Sequence, residues 1–233
     1  MKIVGLQKTT LIDYPGEVAC TIFLFGCNFR CGFCHNPELV VKDFGGGFSE
    51  ENILKFLKER KGKLDAVCIS GGEPLMSLDI DFVRKIRKLG YKIKIDTNGS
   101  FPERLKKLIN EDLVDAVAMD IKASKKKYSE VVGAKVDGEK IEKSIKMISN
   151  LDDYEFRTTI VERFHDSSEM KALGQWMNKV CGKKPKKFFL QGFKAGGKLI
   201  DDSFSKEKDV SEKYLLELKK SVDEFFEEVG VRV

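Results

Sequence analysis

The chain has no apolar run approaching the roughly 18 residues needed to cross a bilayer. Its start, Met1-Lys-Ile-Val-Gly-Leu-Gln-Lys-Thr-Thr10, lacks the long apolar stretch of a signal peptide. No membrane partner is expected, and the protein is expected in the cytoplasm, where thiols stay reduced and structural disulfides are rare. No Pro/Ser-rich linker or low-complexity tract divides the 233 residues. One domain is therefore expected, with residues 1–17 as an N-terminal extension, 18–200 as the core and 201–233 as a C-terminal helix. Charge of neither sign dominates: 42 basic residues face 37 acidic ones, for a net charge of +5. The lysine knots Lys125-Lys126-Lys127 and Lys183-Lys184-Pro-Lys186-Lys187 carry no interleaved aromatics, so a solvated surface is favoured over a nucleic-acid partner.

What the chain does have is three cysteines in one short loop, Gly26-Cys-Asn-Phe-Arg-Cys-Gly-Phe-Cys-His-Asn-Pro37, directly after the apolar run Val18–Phe25. Of six cysteines, Cys20 and Cys68 lie in strand-like runs and Cys181 ends a helix, so these three read as core filler. Cys27, Cys31 and Cys34 read as ligands. A zinc site of Cys27, Cys31, Cys34 and His35 is disfavoured because Cys34 and His35 are adjacent, which strains a tetrahedron. A thioredoxin-like pair, Cys31-Gly-Phe-Cys34, leaves Cys27 unexplained. Thiolates hold iron–sulfur clusters, usually four at a time. With no fourth cysteine nearby, one iron is left for a ligand other than the protein.

From residue 18, apolar strand-like runs alternate with segments of helical periodicity. The strand candidates are 18–25, 65–70, 91–96, 114–120, 154–161 and 186–191, each short and rich in β-branched or aromatic residues. Between them lie helical stripes such as Ile53, Leu54 and Leu57, or Phe82, Val83, Ile86 and Leu89. A last helix is expected through Leu215, Leu218, Val222, Phe225, Phe226 and Val229. Ser49, Ser77 and Ser211 are candidate N-caps, Pro102 suits a first turn, and Gly90 and Gly230 suit helix stops. Six βα units with parallel strands make an open sheet or an incomplete barrel, and either binds ligands beyond the C-terminal strand ends. Ligand-type residues follow each run: the cysteine loop; Gly71-Gly72-Glu73-Pro74; Asp96-Thr97-Asn98-Gly99; Asp120-Ile-Lys122; Arg157 within the fifth; Gln191 at the sixth.

These residues resemble the radical S-adenosylmethionine superfamily, whose C-x3-C-x-aromatic-C signature is matched by Cys27, Cys31, Phe33 and Cys34. Within it, Thr10-Leu-Ile-Asp-Tyr-Pro-Gly16, Cys34-His-Asn-Pro37, Asp96-Thr-Asn-Gly99 and Asp120-Ile-Lys122 are similar to the glycyl-radical-enzyme activases. The resemblance implies an α/β fold, a partial (βα)6 TIM-like barrel with parallel strands. It implies a 4Fe–4S cluster on the three cysteines and S-adenosylmethionine on its open iron. Gly71, Gly72, Glu73 and Pro74 would take the amino end of that cofactor, and Phe33 and His35 would lie beside the adenine. Thr97, Asn98 and Lys122 would contact ribose or carboxylate, and Asp96 and Asp120 would be able to hold a monovalent cation. Gln191 stands where relatives can carry a late-barrel histidine. Arg157 is the one candidate catalytic side chain, facing the barrel mouth and a carboxylate or bridging strands, while His165 is expected at the surface.

The implied chemistry is reductive cleavage of S-adenosylmethionine to methionine and a 5′-deoxyadenosyl radical that abstracts hydrogen from a glycine of a partner. In keeping with this, no Ser–His–Asp set or matched acid–base pair occurs among the strand-end residues. The motif combination points to anaerobic ribonucleoside-triphosphate reductase as partner, with pyruvate formate-lyase as the alternative. A radical enzyme acting on a small molecule is the third reading. The expected electron donor is a flavodoxin or ferredoxin.

Overall fold

The computed structural model describes residues 1–41 and 45–233. The chain divides into two compact units, one of residues 1–28, 38–97 and 103–117, the other of residues 29–37, 98–102 and 118–233. Among the described residues no helix is long and apolar enough to cross a membrane.

The first unit runs β1 (Ile3–Thr10), β2 (Ala19–Leu24), α1 (Pro37–Val40), α2 (Glu50–Glu59), β3 (Ala66–Gly71), α3 (Ile80–Lys88), β4 (Lys92–Thr97), α4 (Pro102–Asn110) and the start of β5 (Ala116–Asp120). β1 is antiparallel to β2, whereas β2, β3 and β4 are parallel. The register sets Thr21 beside Cys68 and Cys68 beside Lys94, so these three side chains share one face. Ile22, Ile69 and Ile95 form the matching row on the other face and are fully buried, as are the helical stripes Ile53–Leu57 and Phe82–Val83–Ile86. Ser49 caps α2 by accepting from the Asn52 amide at 3.1 Å. The residues between β1 and β2 fold inward: Tyr14 is buried with Ala19, Ala66 and Ala116, and Asp13 accepts the Thr21 hydroxyl.

The second unit comprises the end of β5, α5 (Tyr128–Val131), α6 (Gly138–Ile148), β6 (Asp153–Ile160), α7 (Ser167–Cys181), β7 (Lys187–Gly192), α8 (Glu212–Val222) and β8 (Glu228–Arg232). β6, β7 and β8 are parallel. Asp166 and Ser211 cap α7 and α8, and Gly182, at φ +67°, ends α7 in the left-handed conformation that glycine adopts without strain.

All six expected parallel strands are present within a residue or two of their sequence bounds. The two ends differ from expectation. Residues 1–17 contain strand β1, and residues 201–233 contain two 3-10 turns, α8 and strand β8 rather than one helix. The spacing Val222–Phe226–Val229 continues a helical stripe, yet the helix stops at Val222 and the chain pairs in parallel with β7 instead. Backbone pairing along a whole strand edge outweighs a weak local preference. Gly230 is therefore not a helix stop: it sits in β8, where a Cβ would stand 2.5 Å from the Phe189 ring. Likewise Ser77 is not an N-cap; Asp79 caps α3, accepting from the Asp81 amide at 2.9 Å.

Phe226 leads into β8 and stacks on Phe188 of β7 with ring centroids 4.3 Å apart and planes 13° from parallel. Both rings are buried. Phe226→Ala is expected to lower unfolding free energy by about 3–5 kcal/mol, read as a reduced urea midpoint at unchanged slope.

Candidate active site

The first unit brings β2, β3 and β4 to a common C-terminal edge. Gly71 and Gly72 pack there against the end of β2. A Cβ on Gly71, at φ +135°, would stand 2.2 Å from the Leu24 carbonyl oxygen, and one on Gly72 would stand 2.2 Å from that of Gly26. The Gly72 amide donates to Leu24 and the Glu73 amide to Gly26, at 3.0 and 2.7 Å. The paired glycines thus let this segment close on the residue before Cys27, a packing reason that stands beside any role toward a ligand. The Glu73 carboxylate is fully buried, accepting from the Leu75 amide at 3.0 Å and the Thr97 hydroxyl at 2.8 Å. It caps the 3-10 turn that Pro74 opens. Asp96 accepts an ion pair from Lys94, whose side chain is only 4% exposed.

The cysteine loop runs from Cys27 in the first unit to Cys31 and Cys34 in the second, and none of the six cysteines is in a disulfide. In the second unit the Cys34 amide donates to the Cys31 carbonyl at 3.0 Å, closing a turn between the two ligands. Phe33 between them is buried against Phe164, Phe193 and Phe204, at centroid distances of 6.2, 6.5 and 6.0 Å. The His35 ring lies 5.3 Å from Phe193, and burial lowers its pKa. Gly32 lies under Phe204, 2.5 Å from where its Cβ would be, and accepts the Asp201 amide at 3.0 Å. The aromatic residue of the signature is therefore part of the packing that seats the loop.

A chain of charges links the end of β5 to the interior of β6. Asp120 accepts from Lys122 at 2.9 Å and from the Arg157 Nε at 3.0 Å. Arg157 also lies 3.6 Å from Glu155, and Arg232 grips Glu155 with both terminal nitrogens, at 3.1 and 2.7 Å. Burial works against the Asp120 charge, but Lys122 and Arg157 outweigh it and hold the carboxyl well below the usual range. Burial likewise opposes the Lys122 charge, and Asp120 overcomes it, so the ammonium stays protonated. Burial pushes the Cys31 thiol up, while the nearby Lys122 ammonium pulls it down. Arg157 is thus a bridge between β5 and its own strand's Glu155.

The other expected residues take definite places. Asn98 is buried, its side-chain oxygen accepting from the Ser100 amide at 3.0 Å, and a Cβ on Gly99, at φ +77°, would stand 2.0 Å from the Met119 methyl. Gln191 is half-buried in β7, in register with Thr159 and Arg232. The two carboxylates named as cation holders each already meet a side-chain cation, Lys94 for Asp96 and Lys122 with Arg157 for Asp120.

Two residues, Lys94 and Arg232, lie outside the expected site set, and a third, His165, is placed elsewhere than expected. Lys94 occupies an inward strand position between Ile93 and Ile95, the same signal of a charge inside a strand that drew attention to Arg157. Arg232 was hidden by reading the C-terminus as helix. His165 is not at the surface: it is fully buried. Its Nδ1 accepts the Val161 amide at 3.0 Å, so Nε2 carries the proton and donates to the Lys122 carbonyl at 2.9 Å. Burial lowers its pKa, in keeping with a neutral ring that fixes the backbone under Lys122.

Among the described residues no group of three or more Cys, His, Asp or Glu side chains is gathered to hold a metal ion. It is the chemistry of the donors that fits an iron–sulfur cluster: three thiols on one short loop, with a protonated lysine beside the buried one.

A model of the Radical SAM superfamily matches residues 21–161. A provisionally named glycyl-radical enzyme activating enzyme of Methanocaldococcus jannaschii is 34% identical over 237 residues, covering 98% of this chain and 94% of that protein. The pyruvate formate-lyase-activating enzyme of Clostridium pasteurianum is 31% identical over 127 residues, and the match spans 52% of each chain. The crystal structure of a domain of a pyruvate formate-lyase-activating enzyme from Bacteroides vulgatus superposes with a TM-score of 0.56 at 16% identity. It covers 72% of this chain and 99% of that one, a likeness of fold.

Asp120→Asn leaves Lys122 and Arg157 without their shared carboxylate, and is expected to cost about 3 kcal/mol at pH 7. Because the folded carboxyl lies below its ordinary value of 3.8, its contribution is complete above that value and fades as pH falls toward the folded pKa. Urea unfolding of both proteins should therefore show the gap constant from pH 7 to about pH 5 and narrowing below about pH 4.

Proposed function

The chain belongs to the radical SAM superfamily and, within it, to the group of glycyl-radical enzyme activating enzymes, and we propose that it generates a glycyl radical on a partner enzyme by reductive cleavage of S-adenosylmethionine. The observation that carries this reading is the charge chain Lys122–Asp120–Arg157 held beside the thiol of Cys31. A fixed ammonium next to a cluster ligand suits a small ligand that brings its own carboxylate to the open iron.

In this reading Cys27, Cys31 and Cys34 hold a 4Fe–4S cluster, which together with S-adenosylmethionine supplies the one-electron chemistry. The chain's own residues bind, orient and exclude water. Lys122 offers a charged point donor to the cofactor's carboxylate, and Asp120 keeps that donor protonated and aimed. Arg157 is a positioning residue that restrains Asp120. Gly71, Gly72, Glu73 and Pro74 receive the amino end, with Glu73 also fixing Thr97. Asn98 and Gln191 line the remaining polar contacts, and His35 borders the adenine with the aromatic packing around Phe33 behind it. Lys94 neutralises Asp96 from within, so the reading uses no monovalent cation. No side chain is needed as a proton acceptor, because the step removes a hydrogen atom rather than a proton.

The partner assigned is anaerobic ribonucleoside-triphosphate reductase, on the motifs Leu11–Gly16, Gly26–Cys31 and His35–Pro37. Pyruvate formate-lyase is the second reading, favoured by the 31% identity to an activating enzyme of that name.

Anaerobic reconstitution with iron and sulfide, reduction with dithionite and addition of S-adenosylmethionine should yield 5′-deoxyadenosine and methionine, and Cys31→Ala should reduce both to background. Absence of 5′-deoxyadenosine from the wild type, or its persistence in Cys31→Ala, would sink the radical reading. Electron paramagnetic resonance of each purified partner after incubation identifies the substrate: a glycyl-radical signal is expected in the reductase. A signal only in the lyase would reverse the partner assignment.

A further inference from the structure

A surface groove in the second unit, lined mainly by residues of α6 and α7, is connected to the cysteine loop by packed rings. The groove, of about 460 Å³, lies along α6 and α7 and is lined by Lys125, Lys143, Lys146, Lys179, Glu139 and Glu142, with Trp176 in its wall. Glu142 is already engaged, accepting from Lys125 and from the Trp176 indole N–H, each at 2.8 Å. The three outer lysines, Lys143, Lys146 and Lys179, are exposed. The lining therefore presents positive charge around an aromatic ring, and such a surface steers an acidic partner onto itself.

Trp176 does not end at the groove. Its ring centroid is 6.0 Å from that of Tyr128, and Tyr128 lies 6.3 Å from Phe29, both pairs edge to face. Phe29 is the second residue after Cys27 and the second before Cys31. Tyr128 and Phe29 are each 3% exposed, so the path beyond Trp176 is sealed from water. The turn that carries Tyr128 is held rigidly: the buried Glu169 carboxylate accepts the Ser124 amide at 2.6 Å and its hydroxyl at 3.0 Å. A second, smaller cavity of about 180 Å³ is walled by Tyr128 and Trp176 together. Packing alone would account for one such aromatic pair. A continuous series of ring contacts from a basic groove to the middle of the cluster loop calls for a further account.

We propose that this groove is the docking surface for an acidic one-electron carrier protein, and that Trp176, Tyr128 and Phe29 form the packed medium through which its electron reaches the cysteine loop. The inference rests on the function proposed above, which requires one electron per cleavage. The balance is simple: the carrier is oxidised by one electron, the cluster held by Cys27, Cys31 and Cys34 is reduced by one, and no bond or proton changes hands. Trp176 and Tyr128 need not be oxidised themselves, since closely packed rings only narrow the gaps the electron crosses.

The test uses the reconstituted protein and a purified flavodoxin as probe. Binding of oxidised flavodoxin is measured by calorimetry, and bleaching of the cluster by flavodoxin hydroquinone is followed in a stopped-flow spectrometer, with dithionite as the small reductant. The triple variant Lys143→Glu/Lys146→Glu/Lys179→Glu is expected to lose at least tenfold in flavodoxin affinity and bleaching rate. Its bleaching by dithionite should equal that of wild type. A control reversal on α2, Lys55→Glu/Lys58→Glu, should leave both flavodoxin measurements within twofold. Trp176→Leu should slow bleaching by flavodoxin without changing its affinity, while Trp176→Phe restores the rate. Wild-type affinity in the triple variant, an equal loss in the α2 control, or equal slowing with dithionite overturns the proposal. Loss of affinity for the glycyl-radical enzyme in place of flavodoxin would reassign the surface and also overturn it. If the wild type cleaves no S-adenosylmethionine under dithionite, the functional reading fails, and the calorimetric comparison still decides the docking surface.

Discussion

The carboxylate of Asp120 is the point on which the second unit's chemistry turns. It sits at the end of β5, too sheltered to remain charged alone, and two cations answer it from different places in the chain. Each cation then imposes its own requirement. Lys122 needs its backbone held, and His165 does so from a buried position with one defined tautomer. Arg157 reaches past Asp120 to Glu155, and Glu155 needs more than Arg157 gives at 3.6 Å. Arg232 completes it from the last strand, over the face of Phe189 at 3.7 Å. An unpaired charge in a sheltered place is costly, so the demand passes from residue to residue until it reaches one near solvent.

This propagation explains why the C-terminal strand matters to residues so far from it in sequence. β8 contributes no ligand-type residue to the strand-end set, yet it carries the arginine that satisfies Glu155. The same logic applies in the first unit on a smaller scale. Lys94 is buried in the row it shares with Thr21 and Cys68, and Asp96, two residues further along the same face, makes that tolerable. Glu73 is buried with two donors converging on its carboxylate, the Leu75 amide of its own turn and the Thr97 hydroxyl.

The cysteine loop is held by apolar contacts of two kinds. On one side Phe33 and Gly32 fit against Phe164, Phe193 and Phe204. On the other, Phe29 meets Tyr128, and the Arg30 amide donates to Val132 at 2.8 Å. The ligands therefore project from a loop whose intervening aromatic residues, Phe29 and Phe33, are committed to packing, while Asn28 and Arg30 are exposed. That is a physical reason for aromatic residues between the cysteines, independent of any contact with a cofactor.

Much of this was legible in the chain. The six parallel strands announced themselves because buried strands need short apolar runs, and helices Glu50–Glu59 and Glu212–Val222 showed both stripe and cap. The three cysteines, the glycine pair and the carboxylate–lysine motif at strand ends were evident for the same reason, since polar and glycine-rich residues break the apolar pattern where each strand finishes. The spacing of residues 215–229 misled, because a helix and a helix followed by an edge strand can share one apolar rhythm. His165 misled because a polar neighbourhood in sequence says nothing of what folds over it.

What the sequence determined by itself is the set of local elements and the thiol chemistry of the loop, because periodicity, capping and donor type act over a few residues. Only the tertiary structure decided which charge answers which between strands: Arg157 with Asp120, and Arg232 with Glu155. Those pairings depend on strand register and on which strand lies at an edge, quantities set by long-range backbone pairing that no local pattern encodes.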